Sequence, residues 1–385
     1  MCIRDRYAPD APLLYPERAT GSALLRLRNT LQFDLGGNVT AELAHEARAR
    51  QLVNTSGGGA SGGLALGAAR APYRLAQLDW SVAEIGHRLT LRQEIDRAFI
   101  TSRWEWGELT VGRQAIGIGR GVMFSALDLF APFAPEEPDR EWRRGVDALQ
   151  LEVRRTDLSS VGLIAVFGER WEESALLGRW RGYRGRVDAE LLFGKRGDDA
   201  MVGVAASAAV GDAAMHGELA LFRTRDALPD GGALGDRRLA LKAVAGASYT
   251  FDIGNGLTVI GEYHYSGFGL RDVDELAPGG LDARQKERFV ARMMRGDSQI
   301  LGRHALGMQL SYPVDDRSTA SLLVLASPRD GSGLISPGVH WNVGSSASFR
   351  VNAFIPWGAG PEDARLGSEY GATPMSLIAQ LSIHF

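Results

Sequence analysis

The residues best suited to chemistry crowd into one stretch. Gly112-Arg-Gln-Ala-Ile-Gly-Ile-Gly-Arg-Gly121 runs into a Pro-rich, mixed apolar and charged segment that ends at Gly145-Val-Asp-Ala-Leu149. Between residues 117 and 144 stand five carboxylates, Asp128, Glu136, Glu137, Asp139 and Glu141. Carboxylates held opposite fixed guanidinium groups set up a transverse field, and such a field sorts ions and polar solutes. The competing role for Asp128 and Arg140 is structural, as salt bridges holding the segment together. The glycines at 112, 117, 119 and 121 do not make a dinucleotide loop, which requires a strand, a helix start and a βαβ unit; here a Pro-rich loop and another strand follow. They suit a strand end that bends or admits a close backbone approach.

Other chemistry finds little support. The histidines at 45, 87, 216, 264, 304, 340 and 384 are scattered, without the Ser or Asp spacing of a hydrolytic centre. None pairs at i, i+2 beside a carboxylate cluster, so neither a metal nor a cofactor is expected. Cys2 is the one cysteine, which excludes an internal disulfide. A net charge of −3 gives no global case for nucleic acid. Only Lys195, Lys242 and Lys286 are lysines, so the positive charge is nearly all permanent guanidinium.

The elements that must position these groups read as strands. In 22–35, Leu25, Leu27, Leu31, Phe33 and Leu35 face one way, and Arg26, Arg28, Thr30, Gln32 and Asp34 the other. The pair 237–252 and 256–268 alternates likewise around Asn255-Gly256, a turn dipeptide. No run reaches the roughly 18 apolar residues of a membrane helix. Seventeen strands can be marked, near 22–35, 38–50, 88–103, 108–116, 145–155, 159–168, 175–184, 186–195, 200–210, 213–224, 237–252, 256–268, 299–313, 317–327, 333–343, 345–356 and 375–385. Short connections alternate with longer ones, the longest near 51–87, 117–144, 269–298 and 357–374. Alternation turns Arg26, Arg28, Arg48, Arg238, Lys242, Arg303 and Arg350 to the polar face. Arg113 joins them only if a bulge at Gly112 reverses the parity set by Leu109 and Val111.

The last strand, Met375 to Phe385, puts Met375, Leu377, Ala379, Leu381, Ile383 and Phe385 on one face and ends on an aromatic residue. It resembles the C-terminal strand of bacterial outer-membrane β-barrels; an edge strand of a soluble sandwich is the competing reading. The stretch from Gly112 to Leu149 resembles the GRQ…G.G…DLF.PF.P…DRE…GVDAL segment of a group of porin-like outer-membrane proteins, with Ile118 where relatives often carry Trp. The resemblance implies an all-β antiparallel transmembrane barrel, outer-membrane lipid around it, and assembly by the barrel-assembly machinery through Leu381, Ile383 and Phe385. It further implies passive diffusion of small hydrophilic solutes, anions among them. The expected constriction is loop 117–144, with Arg26, Arg28, Arg113, Asp128, Glu136, Asp139, Arg238, Lys242, Arg303 and Arg350 as pore candidates. A barrel enzyme or adhesin with a plugged lumen is the alternative.

Met1 to Tyr7 lacks the features of a secretion signal, and Met1 to Arg6 resembles an adapter-derived hexapeptide. Residues 1–21 are therefore expected to be a truncated, irregular segment, with 22–385 the barrel. Seventeen strands are odd, so the full-length barrel is expected to have 18, with 16 as the nearest alternative, and an open seam beside 375–385.

Overall fold

The computed structural model describes residues 1–385 except 12–14, 16, 54–72, 87, 138–139 and 230–231. Its strands form one antiparallel sheet closed on itself. In chain order they are β1 (Cys2–Tyr7), β2 (Ala19–Asp34), β3 (Val39–Val53), β4 (Asp79–Ile85), β5 (Leu89–Trp104), β6 (Gly107–Gln114), β7 (Val146–Thr156), β8 (Ser159–Val166) and β9 (Ala175–Arg184). They continue as β10 (Val187–Arg196), β11 (Asp199–Val210), β12 (Ala213–Arg223), β13 (Leu239–Phe251), β14 (Leu257–Ser266), β15 (His304–Pro313), β16 (Ser318–Ala326), β17 (Gly333–Asn342), β18 (Ala347–Trp357) and β19 (Met375–Ile383). Each of the seventeen strands marked in the sequence is present, and two more were not foreseen.

The first unforeseen strand removes the expected seam. β1 pairs along its whole length with both β19 and β2, so that Asp5 lies between Leu377 and Gly21. Residues 2–7 are thus wall, not an irregular leader, and the barrel closes with 18 strands. Six residues suffice because each inner and outer position of β1 continues the alternation of its neighbours: Arg4 and Arg6 lie half-buried while Ile3 and Tyr7 are exposed. A gap there would leave unpaired backbone groups facing lipid, which the hydrocarbon penalises heavily.

The second extra strand is β4. β5 pairs with β6 through residues 98–104 and with β4 through residues 89–94. β4 therefore stands above β6 on the same edge of β5, where β6 leaves the wall after only eight residues. It is an addition to the 18-strand wall.

Outward positions between the rims are mostly aliphatic and exposed, as with Val202 and Val204 of β11, Leu306 and Met308 of β15, and Leu377 and Leu381 of β19. Aromatic rings gather toward the strand ends: Trp104 stacks on Trp106 at 5.0 Å, and Tyr249 meets Phe251 edge-on at 4.7 Å. An apolar band flanked by aromatics is the exterior of a membrane-spanning barrel. No described helix is long and apolar enough to cross a membrane.

At the end opposite the short turns, the loops interlock. The loop after β14 carries the helix α1 (Ala283–Met294), begun by a capping box in which Asp282 and Gln285 bond each other's backbone amides. Asp274 accepts from the amides of Leu366 and Gly367 at 2.9 and 3.0 Å, tying the loop that carries α1 to the loop after β18.

Candidate functional site

The chain between β6 and β7 folds into the barrel. Ile116, Ile118, Met123, Phe124, Leu127, Leu129 and Phe130 are all buried and form the centre of the apolar cluster inside the wall. Two wall carboxylates hold this inward loop. Glu218 of β12 accepts hydrogen bonds from the amides of Arg120, Gly121, Ala126 and Leu127 and from the Ser125 hydroxyl; the Gly121 and Ala126 contacts are both 2.7 Å. Glu262 of β14 takes the amides of Val122, Met123 and Phe124 at 2.5, 2.9 and 2.9 Å, and His216 approaches it at 2.8 Å. A buried carboxylate must be surrounded by donors, and a loop without secondary structure has amides to satisfy. Each need meets the other here.

Glycine makes this wrapping possible. A side chain at Gly119, whose φ is +110°, would collide with both Ser125 Oγ and Glu218 Oε1. Gly112, at φ +123°, leaves no room either: a Cβ there would lie 2.2 Å from the Ala98 carbonyl oxygen.

The pore candidates separate into distinct environments. Asp128 is buried and pairs with Arg143 inside the loop, while Arg140 binds the carbonyls of Val122 at 2.7 Å and Pro135 at 2.6 Å. The Asp128 bridge therefore holds the loop, with Arg143 as its partner and not Arg140. Arg113 does not line the lumen. Its guanidinium grips Asp147 of β7 at 2.7 and 3.0 Å and the Ile95 carbonyl at 2.9 Å, with its side chain 2% exposed. The parity reversal expected at Gly112 is absent from the β5–β6 register; Arg113 is instead covered by the segment leading into β4, whose Ala76 carbonyl it also binds.

Arg28 is buried against Asp96 at 2.8 Å and Glu46 at 3.4 Å, with Trp142 of the loop over its guanidinium at 4.4 Å. Lys242 faces inward but lies 1% exposed behind the loop. Arg238 lies exposed in the turn preceding β13, and Arg303, immediately before β15, binds the Gly269 carbonyl at 3.1 Å. For both, residues counted as strand belong to the loop end, so alternation did not apply. Asp139 lies outside the described residues.

Arg26, Glu136 and Arg350 remain at the open lumen. Arg26 sits across from Arg48 on the inner face of β2 and β3. Glu136 and Arg350 border a cavity of about 960 Å³ between the loop and the wall from β15 to β19. Glu137 and Glu141 share its loop side; Arg317, His340, Asn352 and Gln380 share the wall side. A smaller cavity, about 470 Å³, lies among Arg103, Glu108, Glu152 and Arg181 at the short-turn end of β5 to β9.

Glu218 was missed in the sequence. Its only signal was an inward carboxylate in mid-strand with Ala205 and Val244 directly across from it, no cation among them.

The class this architecture defines is the closed, antiparallel 18-stranded β-barrel, the fold of outer-membrane porins. Among solved structures, Pseudomonas aeruginosa OprD superposes with a TM-score of 0.53 at 13% identity, covering 99% of this chain and 92% of that one. P. aeruginosa OccK9 gives 0.52 at 10% identity over 99% and 97%. P. aeruginosa OpdK solved with vanillate gives 0.51 at 12% identity over 99% and 96%. At such identities the likeness is one of fold. No family model matches the chain, and no curated protein matches it in sequence.

Proposed function

We propose that the chain is a channel for passive diffusion of small hydrophilic solutes, anions preferred, with the inward loop as its constriction. The observation that carries this reading is the polar cavity left beside the loop, where Glu136, Glu137 and Glu141 stand opposite Arg317, Arg350 and His340. Opposed charges across a narrow water-filled space orient dipolar solutes and bias ion passage. The neighbouring arc of wall adds Arg4, Arg6 and Arg26 on inner positions of β1 and β2, beside Arg48 of β3, which pairs with Glu46; this weights the lumen toward anions. Vanillate, present with OpdK, is itself a carboxylate. The outward row Leu381, Ile383 and Phe385 is the proposed signal for the barrel-assembly machinery; Phe385 is 97% exposed and free to be read.

Single-channel recording in planar bilayers tests the reading. Refolded protein should give stable openings with a reversal potential on the anion side in a salt gradient. Absence of any stable opening would favour an enzyme or adhesin with a plugged lumen, and a cation-side potential would overturn the anion preference.

A further inference from the structure

Beneath the inward loop the wall carries three polar side chains that passage through the lumen does not use. Lys242 of β13 lies directly across from Ser266 of β14, and His264, two residues earlier on β14, shares the same inner face. His264 and Ser266 are 0% exposed and Lys242 1%. Phe124 of the loop stacks on the His264 ring at 5.2 Å and 7°. Neither ring nitrogen of His264 has a hydrogen-bond partner, nor has the Ser266 hydroxyl. Lys242 makes no hydrogen bond or ion pair among the described residues.

The lysine decides what belongs there. A buried ammonium is far costlier than a buried neutral group unless a negative charge compensates it. The carboxylates that act on Lys242 are Asp297, Glu218 and Asp128, and each is engaged elsewhere. Asp297 pairs with Arg196, Arg292 and Arg295, Glu218 serves the loop amides, and Asp128 pairs with Arg143. Asp128 Oδ1 is unbonded, but a contact between it and Lys242 would leave His264 and Ser266 unsatisfied.

We infer that Lys242, His264 and Ser266 hold a small monovalent anion, chloride, between the wall and the inward loop. An ammonium, an imidazole N–H and a hydroxyl on adjacent inner positions supply three donors to one acceptor. The strand neighbours across from them, Ala220, Val244 and Ala305, are buried and apolar. They offer nothing to the further oxygens of a phosphate or carboxylate, which a spherical ion lacks. Lysine also fits this ligand: its ammonium is a compact point charge with three donors, whereas the guanidinium that serves almost everywhere else in the chain matches planar, two-oxygen partners. Seated beside the ring that Phe124 covers, the ion adds to the hold that Glu218 and Glu262 exert on the loop.

Amide exchange of residues 122–128 in the refolded full chain reads the site without conduction, so a protein that never opens in a bilayer still tests it. At matched ionic strength, exchange in chloride at about ten times its dissociation constant should be about tenfold slower than in gluconate, which is too large to enter. Crystals grown in bromide should show an anomalous peak among Lys242 Nζ, His264 and Ser266. Lys242→Met removes the charge at nearly constant volume; it should fold, lose the chloride dependence and show no bromide peak. Asp128→Asn should keep both. Equal exchange in chloride and gluconate would overturn the inference in favour of water or a neutral lysine. A dependence that survives Lys242→Met would reduce it to a general salt effect, and a parent without the bromide peak would overturn it directly.

Discussion

Glu218 Oε2 lies 2.7 Å from the backbone nitrogen of Ala126, and through that contact and its four companions a residue of the wall becomes part of the loop. Loop position, and with it the width of the lumen, is thereby set by a carboxylate some ninety residues further along the chain. Arg196 of β10 adds a second tie: it bonds the Leu129 carbonyl at 2.7 Å, the Arg295 carbonyl at 2.8 Å and the Asp297 carboxylate, so the inward loop and the loop bearing α1 share one anchor.

Glu218→Gln should loosen the inward loop. The amide keeps the shape but offers one acceptor and turns an NH2 toward loop amides that need acceptors. Charge-assisted hydrogen bonds contribute about 1.5–3 kcal/mol each, and the loss here is expected to total about 2–4 kcal/mol. Urea unfolding in micelles should show the lower midpoint, and single-channel traces should become larger and noisier. Unchanged conductance and midpoint would show that the loop holds without Glu218.

Glu136→Gln combined with Glu137→Gln should raise anion selectivity, because it removes negative charge from one side of the cavity while Arg317 and Arg350 stay. Arg350→Ala should move the reversal potential the opposite way. Both shifts should shrink as ionic strength rises and the screening length falls below about 10 Å.

Arg113→Ala separates wall from pore. Its removal leaves the half-buried Asp147 with only the Leu75 amide, at 2.8 Å, as donor, at a cost of about 1.5–3 kcal/mol. The variant should refold poorly, while any folded fraction keeps the parent's ion selectivity. A changed reversal potential in that fraction would return Arg113 to the lumen.

Stability of the loop end should depend on pH through Glu369. Burial pushes its carboxyl up to about 7, with Asp330 and Glu136 adding repulsion and the amides of Leu301 and Gly302, at 2.8 and 3.2 Å, partly offsetting it. Because the folded value lies above the ordinary one, the packed loops favour the protonated acid. That contribution is complete below the ordinary value of 4.5, is lost progressively as pH rises from there, and is gone above about 7. Hydrogen exchange at residues 299–303 should therefore slow from pH 8 to pH 5.5 after correction for intrinsic rates. Glu369→Gln should remove that dependence.

The wall was legible in the chain because lipid outside and water inside force a period of two on every strand. Leu25, Leu27 and Leu31 against Arg26, Arg28 and Thr30 already define both faces of β2. The inward, glycine-bearing segment after Gly112 was readable for similarly local reasons. The first strand was not, since six residues of mixed character acquire meaning only when β19 and β2 lie on either side of them.

Individual pore residues were the least legible. Alternation alone decides whether Arg28 or Lys242 faces inward, and for both it did. Whether an inward side chain meets water or protein depends on where the loop between β6 and β7 lies, and that is set by Glu218 and Glu262, far along the chain. The sequence by itself determined a barrel and its inner and outer faces, since these follow from nearest-neighbour pattern. Only the tertiary structure decided that Arg113 pins the wall, that Asp128 pins the loop, and that Glu136 and Arg350 border one and the same cavity.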